Sequence, residues 1–303
     1  MILRPMKAPT DSITDEELKS VNFPLVGSPK LDGFRCLVDE RGGLTSSMKF
    51  FQNRFVAEVL RKPTYHGLDG EIVVGSPFKE NEEDDVFHRT SGPIRRFDGE
   101  PDFRFYVFDN HLQSSLSYQK RLVDVCMDIA DDGRLIVLEQ RILKNVQEVI
   151  AYEQEMAEKG YEGAMVRSLS SPYKQGRCTL KEGHIFKRKP FDETDAVIIG
   201  FEEQNENTNE KIINRLGLSS RSSHKKNMLG KDTLGAFILK SNLWELPFNC
   251  GSGRGLTDRL RKKIWLDKES YLGKTVTVKY QSYGSITKPR IPIFLRFRPD
   301  WDI

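Results

Sequence analysis

The 303-residue chain carries 47 Lys and Arg against 44 Asp and Glu, for a net charge of +3, with 38% hydrophobic and 30% charged residues. This is the balance of a well-folded, rather polar protein, long enough for one large domain or two smaller ones. It holds no apolar run of the roughly 18 residues that a membrane-spanning helix needs, and its scattered cysteines and histidines exclude a disulfide framework and a structural zinc site.

The N-terminus, "MILRPMKAPTDS", lacks the charged-then-apolar pattern of a signal peptide. Cys36, Cys126, Cys178 and Cys250 read as reduced packing thiols, so an intracellular location, cytoplasmic or nuclear, with no membrane partner, is expected.

In chain order, Thr14 stands three residues before Glu17, a capping-box pattern for a short helix. "FRCLVDE" and "GEIVVG" (70–75) predict strands, and the acidic run 79–85 a solvated loop. "PDFRFYVFDN" (101–110) alternates as a half-buried strand does. Residues 117–130 and 145–159 predict helices. The second has Asn145 and Glu148 as cap pair, a stripe at Val146, Val149, Ile150, Met156 and Ala157, and Gly160 as its stop. Helices and strands mix without strict alternation, which predicts an α+β fold.

Composition changes after "KRKPFDETDAVIIGF", placing a domain boundary near residue 190. A polar stretch, 202–232, predicts a long loop or hairpin with a function of its own. Strand "GAFILK", a basic helix over 256–272, strand "KTVTVKYQSY" and the run "IPIFLRFRPD" follow. Several strands around one helix fit a small OB-type β-barrel, giving domains 1–190 and 191–303. This C-terminal part is basic. Lys211 to Lys231 holds six Lys and Arg and no acid, and Arg254 to Arg298 holds twelve against three acids. A polyanion partner is expected.

Chemistry centres on "SPKLDGFRC" (28–36). An amine attacks only when neutral, and at an ordinary pKa of about 10.4 almost none of a lysine is neutral at pH 7. A nucleophilic Lys30 therefore needs neighbouring cations or desolvation. "FKRKP" offers Lys187 and Lys189, which face the same way on a strand. Carboxylates beside glycines, in Asp32-Gly33, Asp69-Gly70-Glu71 and Glu162-Gly163, suit sugar hydroxyls or a divalent metal. Each is weak singly; their joint order is not.

That ordered set resembles the covalent nucleotidyltransferases, the family of ATP-dependent DNA ligases, RNA ligases and mRNA capping enzymes. The resemblance implies a nucleotidyltransferase domain followed by an OB-fold domain. It implies that Lys30 becomes bonded to the nucleotide phosphate, with Ser28 and Pro29 at the adenine edge. Asp32 and Arg35 would support the sugar and the reacting ends, with Glu71 on the ribose and Phe108 stacked on the purine. Glu162 would be a metal or sugar ligand, with Asp32 as a further metal ligand and Arg167 closing the motif. Lys187 and Lys189 would meet the phosphates, and Arg298 would orient the leaving pyrophosphate. ATP, Mg²⁺ or Mn²⁺, and nicked duplex DNA are the implied partners of a monomer.

"EGAMVR" and the C-terminal run are similar to the DNA ligase branch, in particular compact viral DNA ligases. Residues 202–232 sit where such enzymes carry a DNA-encircling latch, which makes Lys211, Arg215, Arg221, Lys225, Lys226 and Lys231 DNA-contact candidates, with Arg54 as a further one outside that stretch. One departure stands out: "TSSMKFFQN" has Ser47 where this group has an arginine, leaving Lys49 or Arg54 to compensate, or one step weakened. "GSGRG" (251–255) reads as a turn, "YLGKT" (271–275) as a helix stop and His184 as a polar surface residue. An RNA ligase or a capping guanylyltransferase is the nearest alternative, and a non-catalytic DNA-binding protein that keeps the fold is the alternative of another class.

Overall fold

The computed structural model describes residues 4–81, 84–122, 133–215, 217–253, 255–281, 283 and 285–298. The chain divides into two compact units, the first running to Lys189 and the second starting at Pro190, with Arg215–Gly217 grouped with the first.

The first unit is built on two largely antiparallel sheets. One has the order β7-β1-β8-β9, from β1 (Leu25–Pro29), β7 (Arg141–Leu143), β8 (Ala164–Ser168) and β9 (Ile185–Arg188). The other has the order β3-β2-β4-β5-β6, from β2 (Phe34–Asp39), β3 (Gly42–Thr45), β4 (Leu68–Val74), β5 (Phe103–Asn110) and β6 (Leu135–Val137). Helix Val146–Glu158 lays Val149, Tyr152 and Met156 on the first sheet, in a core with Leu25, Leu143, Val166 and Phe186. Its cap is the predicted one, the Asn145 side chain accepting from Glu148 N–H at 2.9 Å, and Gly160 follows its end at φ +82°. Thr14 and Glu17 form the reciprocal capping box around helix Asp15–Leu18.

Helix Arg54–Val59 covers the second sheet, where Phe103, Phe105 and Val107 pack against Val56, Leu60 and Tyr65. Strand β5 is not half-buried, as its alternation predicts: Tyr106, Phe108 and Asp109 are buried too. Its second face is covered as well, by Arg35 and Arg167 over Phe108 and by Arg121 and Arg167 on Asp109, and a bulge breaks the alternation at Phe108. Gly70 pairs with Val107 and Asp69 with Asp109, so Phe108 is the extra residue and the strand is re-aimed there. The helix predicted over 117–130 is helical over residues 118–122, and its remainder lies outside the described residues. Cys36, Cys178 and Cys250 are buried free thiols, while Cys126 also lies outside the described residues.

The second unit is a five-stranded sheet of order β14-β13-β10-β15-β16, with β10 (Phe191–Asn207), β13 (Met228–Lys240), β14 (Phe248–Cys250), β15 (Thr275–Gln281) and β16 (Arg290–Phe297). A bridge between Ser252 and Ile293 curls its two edges together, as a barrel requires. Helix Asp258–Leu266 plugs it, and Arg261 donates to the carbonyls of Leu256, Leu234, Gly235 and Gly251 at 2.5–3.0 Å. The helix is shorter than the 256–272 expected, because Asp267 leaves helical geometry at φ −128°, ψ 46°. Gly273, at φ +81°, ends the segment that follows.

Residues 202–232 form a hairpin. β10 and β13 run on together to Asn207↔Met228, and β11 (Lys211–Ile213) pairs with β12 (Ser219–Arg221) beyond them. Asn209 fastens its base, donating to Asn207 Oδ1, Ser222 O and His224 O at 2.9–3.0 Å. Among the described residues no helix is long and apolar enough to cross a membrane.

Candidate active site

Lys30 leaves the end of β1, and the ladder with β8 continues one step past it. Lys30 N–H donates to Gly163 O at 2.9 Å and Glu162 N–H to Lys30 O at 3.1 Å. This backbone frame brings the two side chains together, and the Lys30 ammonium donates to Glu162 Oε2. Glu162 Oε1 accepts from Lys189. Gly163 is required at the crossing: it sits at φ +142°, and an added Cβ would lie 2.2 Å from the carbonyl oxygen of Arg188. Gly33 has the same necessity at the neighbouring turn, where a Cβ would lie 2.4 Å from Ile72 O.

Lys30 opens on a cavity of about 240 Å³. Ser28, Pro29, Arg35, Glu71, Phe108, Arg167 and Lys187, all singled out from sequence, line it. Arg35 and Glu71 arrive as a cross-strand pair of β2 and β4. The guanidinium carbons of Arg35 and Arg167 lie 4.6 and 5.1 Å from the centre of the Phe108 ring.

Electrostatics differ from the expectation that cations depress Lys30. Burial does push the Lys30 ammonium toward the neutral form, but the carboxylates of Glu162, Glu71 and Asp32 outweigh it and leave its pKa raised. The cations Lys187 and Lys189 are themselves the depressed ones, first by burial and then by each other or by Lys30. Burial alone would raise Glu162, yet Lys30 and Lys189 hold it down at about 2. Burial lifts Glu71 to about 7, against the pull of Lys30 and Arg35. Lys30 is therefore stored protonated against an anion.

Behind the cavity lie two buried carboxylates with no exposed surface. Asp69 accepts from Arg35 Nε and Nη2, both at 2.6 Å, and from Tyr173 Oη at 2.7 Å. Asp109 accepts from Arg121 Nε at 2.7 Å and Arg167 Nη1 at 2.5 Å. Buried charges cost several kcal/mol each unless fully partnered, and here they are. Asp69, expected from its place beside Gly70 to suit a sugar hydroxyl or a metal, is instead taken up by Arg35 and Tyr173; Asp109, Arg121 and Tyr173 carry no local signal of a role, since such partners lie up to 104 residues apart.

The cavity also takes Lys7, Ser46 and Arg177, which no motif marked. Lys7 Nζ donates to Ser46 O at 3.2 Å, and its chain pairs with Arg177. The two residues weighed as substitutes for the arginine missing at Ser47 are elsewhere. Arg54 lies 3.5 Å from Asp98 and its guanidinium carbon 5.1 Å from the Phe97 ring centre, while Lys49 is exposed; neither lines the cavity. Asp32 is not a lining residue but acts on Lys30, Glu71 and Lys189 by its charge.

In the second unit Arg298 pairs with Asp195 at 3.2 Å. Lys211, Lys225, Lys226 and Lys231 are exposed on the hairpin, while Arg221 is turned onto Asn209 O. Arg215 is exposed too, in the segment grouped with the first unit.

A sequence-family model described as a DNA ligase OB-like domain matches residues 229–298. A DNA ligase of African swine fever virus is 28% identical over 105 residues, 33% of this chain and 25% of the relative, so the match spans a quarter of that relative's length. Crystal structures of Chlorella virus DNA ligase-adenylate are 26% and 27% identical, each with a TM-score of 0.53. They cover 98–99% of this chain and 99–100% of the other. A Lig E DNA ligase, at 19% identity and TM-score 0.65, shares the fold over 98% of both chains.

A lysine-centred cavity in a two-sheet domain, followed by an OB-like domain, is the architecture that the resemblance to the covalent nucleotidyltransferases implies. Within that architecture the chain is similar to the Chlorella virus DNA ligase over nearly its whole length, and its C-terminal part matches the DNA ligase OB-like domain.

Proposed function

We propose that the chain joins 3′-hydroxyl and 5′-phosphate ends at nicks in duplex DNA, using ATP, through an AMP bonded to Lys30. The observation that carries this reading is the placement of Lys30 at the mouth of one cavity with Glu71, Phe108 and Lys187, and with Glu162 and Lys189 behind it.

In the first step the Lys30 Nζ lone pair attacks the α-phosphorus of ATP, an N–P bond forms, and pyrophosphate leaves. Lys30, held as an ammonium against Glu162, must first release a proton to water. Lys187 and Lys189 face the growing negative charge on the phosphoryl oxygens, the main source of catalysis in such transfers. Arg35 and Glu71, fixed to each other across β2 and β4, hold the nucleoside in line. The AMP then passes to a 5′-phosphate, and the 3′-hydroxyl displaces it. Lys7 and Arg177 supply cations on the same cavity for the incoming end. The exposed lysines of the 202–232 hairpin suit the phosphates of a duplex, with strongly salt-dependent binding.

The donor set also suits Mg²⁺ or Mn²⁺. No group of three acidic, His or Cys side chains surrounds a point among the described residues, but such ions are commonly held by one or two carboxylates plus substrate phosphates. Glu162, whose two oxygens here take Lys30 and Lys189, and Asp32 would be those carboxylates, and the ion would add positive charge beside the phosphates.

The test is to incubate the protein with α-labelled ATP, GTP or NAD⁺ and a divalent cation, then run a denaturing gel. Label from ATP alone, lost in Lys30→Ala, supports the reading. No covalent label from any nucleotide overturns it in favour of a binding protein, and label from GTP alone points to a capping enzyme. Sealing of nicked DNA against nicked RNA then separates the two ligase classes.

A further inference from the structure

We infer that Arg188 is a positioning residue that, from the opposite face of the sheet, holds Lys187 at the cavity and Lys189 on Glu162 behind it. The inference rests on the assignment of those lysines to the site.

β9 is a four-residue strand at the edge of its sheet, hydrogen-bonded to β8 on one side. Lys187 and Lys189 alternate with Arg188, so the two lysines share a face: Lys187 lines the cavity and Lys189 reaches Glu162. An edge strand this short does not fix two long, charged side chains by its ladder alone, because its open side is free to twist or fray. Arg188 supplies the missing constraint. Its Nε donates to Glu153 Oε2 at 2.8 Å, its Nη1 to Ile13 O at 2.7 Å, and its Nη2 lies 2.8 Å from Asp15 Oδ1 and 2.5 Å from Glu153 Oε2.

The guanidinium is thereby tied to three elements: helix Val146–Glu158, helix Asp15–Leu18 and the segment before it. Its side chain is 11% exposed and that of Glu153 12%, so the Glu153 arm of the link is largely shielded from water, while the Asp15 arm is open to it. Ile13 N–H also donates to Lys187 O at 3.1 Å, closing the open side of the strand at the lysine itself. On the site side the strand cannot recede, since Arg188 O is packed against Gly163. A planar fork with five donors makes this three-way link, which a lysine cannot reproduce.

Two measurements test this. The first needs no nucleotide. Lysine side chains labelled with ¹³C are titrated by NMR in wild type, Arg188→Met, Arg188→Lys and Glu153→Gln, with Lys187→Arg and Lys189→Arg for assignment. In wild type Lys187 should titrate below the exposed lysines as a group. In Arg188→Met it should move up to that group, with smaller moves in Arg188→Lys and Glu153→Gln. Unmoved titrations in Arg188→Met, or in Glu153→Gln should Arg188→Met not fold, overturn the proposal. The second is self-adenylylation in a double-mutant cycle. Arg188→Met should slow it about 10- to 100-fold in wild type and by less than about twofold when Lys189 is already alanine. Equal losses in both backgrounds overturn the proposal, and a wild type that takes no label at all overturns the ligase reading while the NMR result stands.

Discussion

Lys30 and Lys189 share one carboxylate, Glu162, each taking a different oxygen. The nucleophile candidate is thus held charged by the group that also anchors its neighbouring cation. In Glu162→Gln the strongest anion acting on Lys30 is removed, so its pKa falls. The rise of self-adenylylation rate with pH should move to lower pH in this variant, even as its maximum rate drops. A pH–rate series on both proteins checks this; an unmoved profile would show that Glu162 does not set the protonation of Lys30.

Gly163→Ala should prevent a working site. The φ of +142° strains any side chain, and the backbone oxygen 2.2 Å away cannot step aside without shifting β9. The expected result is loss of ATP labelling by more than about 100-fold, with a melting temperature several degrees lower.

Asp69→Asn leaves Arg35 without its two-pronged anion and weakens the Tyr173 hydrogen bond. Removing one partner of a buried pair costs roughly 3–5 kcal/mol. Urea unfolding should report a loss of that order, whereas Asp39→Asn, at a pair whose Arg41 is 67% exposed, should cost less than about 1 kcal/mol.

Glu71 gives a pH signature of stability. Its folded pKa is about 7, above the usual carboxyl value. The unfolded chain ionises first, so stability is fully present at low pH and declines as pH rises through the ordinary carboxyl range toward 7. The loss is at most about 3 kcal/mol. Glu71→Gln should flatten that decline in melting temperatures measured from pH 4 to 8. Glu162 has the opposite sign: held at about 2, it contributes stability above the ordinary carboxyl pKa that is lost as pH falls toward 2.

Replacing residues 209–226 by a short turn keeps the Asn207↔Met228 pairing and removes the outer hairpin. Nick binding and sealing should fall by at least about tenfold and lose part of their salt dependence, while self-adenylylation stays within twofold or so. Equal losses in both assays would count against a DNA clamp.

The sequence by itself determined many of the elements and the order of the candidate site residues, because those signals are local. The capping box at Thr14, the Asn145 cap, the Gly160 stop and the Lys187/Lys189 alternation each depend on residues within a few positions. The order of the Lys30, Glu71, Glu162 and lysine motifs likewise survives in one dimension. Only the tertiary structure decided what those residues do to one another. That Lys30 is held charged rather than poised neutral depends on a carboxylate 132 residues away. The bulge that aims Phe108, the buried Asp69 and Asp109 networks, and the arrival of Lys7 and Arg177 at the cavity all arise where distant strands meet. Charge, burial and pairing are properties of that meeting, and no stretch of sequence carries them alone.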